Sequence, residues 1–91
     1  NLTFDQFYLY PNFPNPFNSS TQIKVYSMHD EIVNIRVFNL KGKNIDNILR
    51  KNLKLGVNYI KWTPSDISSG IYFIQLEFDN FIKGQKVLFV K

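Results

Sequence analysis

The sequence predicts an all-β fold, an antiparallel sandwich of about seven short strands. Two patterns carry this expectation. Apolar residues alternate with polar ones in several runs, the period-two mark of half-buried strands. Turn residues interrupt these runs about every ten positions, and no run has the three-to-four spacing of an amphipathic helix. The 91 residues make one domain, of which 16% are aromatic and none is cysteine. The core therefore depends on packed rings rather than disulfides or thiolate-held zinc.

In chain order, residues 1–6 are polar and read as a linker from an upstream part, with the domain expected over 7–91. Phe7-Tyr8-Leu9-Tyr10 is a short strand. Residues 11–20 hold Pro11, Pro14 and Pro16, which remove amide donors and fix φ, so this stretch is neither helix nor central strand. It is expected to be an ordered extended crossing, with Phe13 and Phe17 as plugs into the core. Thr21 to Met28 alternates with Ile23 and Val25 inward, and His29-Asp30 marks a turn. Glu31 to Phe38 alternates with Val33, Ile35 and Val37 on one face. Asn39-Leu40-Lys41-Gly42-Lys43 is a turn in which Gly42 supplies a positive φ.

Ile45 to Leu55 fits neither period and reads as a strand with an irregular segment. Tyr59 to Thr63 is a strand with Ile60 and Trp62 inward. Residues 64–69 form a loop, with one helical turn capped by Ser65 as the helical alternative. Gly70 to Phe78 places Tyr72, Ile74, Leu76 and Phe78 on one face. Tyr72 stands where a tyrosine corner would return its hydroxyl to upstream backbone. Asp79-Asn80 suits a tight hairpin into the last strand.

That last strand ends in Lys86-Val87-Leu88-Phe89-Val90-Lys91. Four successive apolar residues cannot all face one core, because neighbours on a strand point to opposite sides. Either Val87 and Phe89 or Leu88 and Val90 face outward. A final strand is also expected to be a sheet edge, with unpaired amides open to a partner strand. Lys83, Lys86 and Lys91 would flank that contact.

No constellation carries chemistry, and no catalytic, cofactor or metal residue is assigned. The single histidine, His29, lies in a turn and has no cysteine partner. Seven acidic residues are scattered, and four glycines form no phosphate-binding loop. The net charge of +4 is spread over lysines along the chain, which argues against a nucleic-acid stripe. No small-molecule substrate is expected.

Four segments resemble one family. Asn12-Phe13-Pro14-Asn15-Pro16-Phe17-Asn18, followed by Ser20-Thr21-Gln22-Ile23, is similar to the opening of type IX secretion system C-terminal sorting domains. Ser19 stands where the family usually has proline. Ile35 to Lys43, Ser69-Gly70-Ile71-Tyr72-Phe73 and Lys86 to Lys91 resemble its later segments in the same order. An Ig-like domain of flagellar hook-capping proteins is similar in the same places. The resemblance implies an Ig-like sandwich ending a secreted cargo protein, without cofactor. It implies as partners the upstream cargo, the outer-membrane translocon and a sortase-like protease that removes the domain. It implies passage through the periplasm of a Gram-negative bacterium to the exterior or the cell surface. Two other readings remain open on the residues themselves. One is a carbohydrate- or protein-binding module using Tyr8, Tyr10, Tyr26, Tyr59 and Phe73; the other is a structural spacer.

Overall fold

The computed structural model describes residues 7–79 and 81–91, so the expected linker at residues 1–6 lies outside the described residues. Seven strands form in chain order: β1 (Phe7–Leu9), β2 (Thr21–Ser27), β3 (Glu31–Asn39), β4 (Asn44–Leu53), β5 (Gly56–Trp62), β6 (Gly70–Phe78) and β7 (Phe81–Phe89). They make two antiparallel sheets, ordered β1-β2-β5 and β4-β3-β6-β7. The all-β sandwich expected from the alternation is what the chain adopts. Relative to the constant-type immunoglobulin arrangement, the fourth strand sits with the third, sixth and seventh rather than with the other sheet.

The core is the set of inward positions of both sheets. Ile23 and Val25 from β2 meet Val33, Ile35 and Val37 from β3, Ile60 and Trp62 from β5, and Tyr72, Ile74 and Leu76 from β6. Alternation alone places each of these side chains correctly. Phe78 is only half-buried; its ring packs edge-on against Phe7 at 5.4 Å and closes one end of the sandwich. At the other end Phe17, Trp62, Phe89 and Tyr72 form a chain of rings. Phe17 lies 5.1 Å from Phe89 and 5.6 Å from Trp62, and Trp62 lies 6.4 Å from Tyr72.

The mixed pattern of Ile45 to Leu55 has a structural cause. The β3–β4 register shifts twice, between Asn34 and Arg36 and between Val37 and Phe38. Each shift changes which side chains of β4 face inward, so no single period survives. Leu53 is fully buried, whereas Ile45 and Ile48 pack only partly.

The turns follow their residues. Asn39 Oδ1 accepts the amides of Lys41 and Lys43, both at 2.9 Å, and Gly42 takes φ 84°. The Phe78–Phe81 pair closes the β6–β7 hairpin with Asp79 at φ 53°, while Asn80 lies outside the described residues. Residues 64–69 contain no helical turn, so that alternative is corrected. The loop is fixed instead by Ile67, which packs on the core, and by the Tyr72 hydroxyl, which donates to the Ser68 carbonyl at 2.6 Å. The expected tyrosine corner is present.

Candidate recognition seam at the C-terminal strand

Among the described residues, the proline-rich crossing is the one segment that pairs with both sheets. At its start it extends the edge of the three-stranded sheet. The Phe13 amide donates to the Gln22 carbonyl at 3.1 Å, and the Gln22 amide donates back at 2.9 Å. Four residues later it has crossed to the other sheet. The Phe17 amide donates to the Leu88 carbonyl at 3.0 Å, and the Val90 amide donates to the Phe17 carbonyl at 2.8 Å. This is a parallel bridge between Phe17 and Phe89. Proline suits such a sheet-switching corner because little of its backbone needs a donor. The peptide bonds preceding Pro14 and Pro16 are cis.

Asparagines fasten the crossing. The Leu88 amide donates to Asn15 Oδ1 at 2.9 Å, and Asn15 Nδ2 reaches the Lys86 carbonyl at 3.4 Å. Asn12 is buried and donates through Nδ2 to Thr21 Oγ1 at 2.8 Å, while Thr21 Oγ1 donates to the Pro14 carbonyl at 2.7 Å. The Asn12 amide donates to Gln85 Oε1 at 3.0 Å. Asn12 Oδ1 and Gln85 Nε2 are buried without a partner among the described residues. Asn18 is exposed.

Two sequence expectations are corrected here. The first made both phenylalanines of the crossing core plugs. Phe17 is 3% exposed, but Phe13 is 79% exposed, because Phe13 bridges Gln22, a solvent-facing position of β2, before the chain turns inward. The second left the backbone of the last strand unpaired. β7 is the sheet edge as expected, yet its outward groups at Leu88 and Val90 are taken by Phe17 and Asn15. An incoming strand has no free ladder there.

Side chains resolve the two-faced apolar run. Val87 and Phe89 point inward at 0% and 6% exposure. Leu88 and Val90 point outward and remain 38% and 48% exposed. Val90 and Lys91 line a shallow cleft with Pro14, Pro16, Phe17 and Asn18. Lys86 is exposed beside it. The Lys91 amide donates to Ser69 Oγ at 2.8 Å, which ties the chain end to the loop preceding Gly70. Of the residues singled out from the sequence, the structure gathers Pro14, Asn15, Pro16, Phe17, Lys86, Leu88, Phe89, Val90 and Lys91 into one seam. Gly42 is at the β3–β4 turn and Tyr72 is in the core.

Sequence reasoning missed Asp46 and Gln85. Trp62 Nε1 donates to Asp46 Oδ2 at 2.8 Å, linking β5 of one sheet to β4 of the other. A carboxylate within the irregular stretch, with a tryptophan elsewhere in the chain, carries no local signal of this pairing. Phe73 lies on β6, in the opposite sheet from Tyr8, Tyr26 and Tyr59, so those rings do not form one aromatic surface.

A family model described as "Secretion system C-terminal sorting domain" matches residues 10–91. The chain belongs to this family of type IX secretion sorting domains. The matched span runs from just before the crossing to the final lysine and so includes both sides of the seam. No curated protein and no solved structure matches the chain. The sorting domain is a signal for secretion by the type IX system and marks a secreted or cell-surface protein. Membership of a sorting family, rather than a catalytic one, agrees with the absence of a catalytic motif in the sequence.

Proposed function

We propose that this sorting domain acts as a folded address whose reading surface is the seam between the crossing and the end of β7. The domain is read in the periplasm of a Gram-negative bacterium, at the C-terminal end of its cargo. The outer-membrane translocon grips Leu88 and Val90 between Lys86 and Lys91. A sortase-like protease then cuts within residues 1–6.

One observation carries this reading. Leu88 and Val90 are apolar and exposed at a place where the backbone is already satisfied and where their neighbours Val87 and Phe89 supply the core contact. Folding does not require apolar side chains at these two positions, whereas a docking partner gains by covering them. Contact through side chains also fits the blocked ladder better than addition of a strand.

The test fuses the 91 residues behind a periplasmic reporter in a secreting host. Leu88→Ser with Val90→Ser is expected to stop surface delivery while leaving the domain folded. The matching control, Ile82→Ser on the same face of β7, is expected to deliver normally. Normal delivery of the double variant would reject the seam as the reading surface.

A further inference from the structure

The outer face of the three-stranded sheet differs from an ordinary solvated sheet. Strand pairing sets Tyr8 beside Tyr26, and Tyr26 beside Val57, in one row across all three strands. The next row sets Lys24 beside Tyr59, and the row after that sets Gln22 beside Lys61. Tyr8 and Tyr59 are 56% and 59% exposed. Tyr10 packs edge-on against Tyr8 at 4.6 Å, and Lys24 Nζ stands 4.4 Å over the Tyr10 ring. Neighbours on such a face stand about 5 Å apart across strands and about 7–8 Å apart on the diagonal. The result is a patch of exposed rings with two lysines in adjoining rows. None of the three strands carries Asp or Glu.

We propose that this face binds an acidic polysaccharide. The C–H faces of pyranose rings stack on exposed tyrosines, whose phenol groups remain wet and hydrogen-bond sugar hydroxyls. Lys24 and Lys61 pair with the carboxylates or phosphates of the glycan, with no acidic side chain on these strands to compete. Charge and composition decide against other occupants. The centre of a protein interface favours arginine and disfavours lysine, and these strands hold no arginine. A second copy would bring Lys24 and Lys61 against like charges. Single-stranded nucleic acid also stacks on aromatics, but its binding sites track the phosphates with a more strongly cationic groove than two lysines provide. The site lies on the sheet that does not contain β7.

The 91-residue chain is titrated with alginate oligomers, dextran oligomers of equal length and oligo(dT), and its backbone amide NMR shifts are followed. Alginate is expected to move amides of β1, β2 and β5 and to leave β6 and β7 unchanged. Dextran is expected to bind at least about tenfold more weakly, as are Tyr59→Ala and the pair Lys24→Gln with Lys61→Gln on alginate. The lysine pair is exposed or half-exposed and keeps the test valid if the tyrosine variant unfolds. Absence of alginate shifts, shifts confined to the other sheet, tighter binding of oligo(dT), or self-association through this face would each overturn the proposal.

Discussion

Phe17 and Leu88 are joined backbone to backbone, the Phe17 amide donating to the Leu88 carbonyl at 3.0 Å along the edge of the four-stranded sheet. This bond fastens a proline-rich corner to the last strand. The same residue inserts its ring among Trp62 and Phe89. Backbone and side chain of Phe17 therefore both hold the seam closed.

Removing that ring should be costly. Phe17→Ala is expected to lower unfolding free energy by about 3–5 kcal/mol, since it leaves a cavity between packed aromatics. Phe13→Ala, at an exposed position, should change it by no more than about 0.5 kcal/mol. Urea unfolding of both variants measures the difference, and equal effects would contradict the assignment of one ring to the core and the other to solvent.

Asn15→Ala removes the side-chain acceptor of the Leu88 amide. Hydrogen exchange at Leu88 should then accelerate well beyond that at Tyr72, which lies inside the sheet. Unchanged protection of Leu88 would show that Asn15 does not close this edge.

Asp46→Ala leaves the indole N–H of the buried Trp62 without its carboxylate acceptor. A loss of about 1–3 kcal/mol is expected from the orphaned donor. Tyr72→Phe removes the hydroxyl bond to Ser68, with an expected loss of about 0.5–1.5 kcal/mol. Thermal unfolding of the two variants checks both values.

Gly42→Ala forces a side chain onto a backbone at φ 84°. The surrounding space is open, so the cost is conformational alone, about 1–2 kcal/mol. A neutral or stabilising result in denaturant unfolding would show that the turn relaxes to another conformation.

Much of the fold was legible because it rests on local periodicity. Ile23, Val25, Val33, Ile35 and Val37 announce their faces by alternation alone, and Gly42 and Tyr72 announce a turn and a corner. What stayed hidden depends on pairing between distant parts of the chain. The two shifts of register against β3 erased the period of β4. The role of Asp46 depends on a tryptophan sixteen positions away in sequence and on the opposite sheet. The seam was half legible: four apolar residues at the end of β7 required one outward pair, but only the path of the crossing decides that Leu88 and Val90 form it. The same path shows why Phe13, so near Phe17 in sequence, ends in solvent.

Contact between the seam and the secretion machinery is tested by placing a photo-crosslinking residue at position 88, or at position 26 on the tyrosine face, in a reporter fusion within secreting cells. Illumination should join position 88 to an outer-membrane component of the secretion machinery and leave position 26 unjoined to it. Crosslinking to that component from position 26, with none from position 88, would contradict the account.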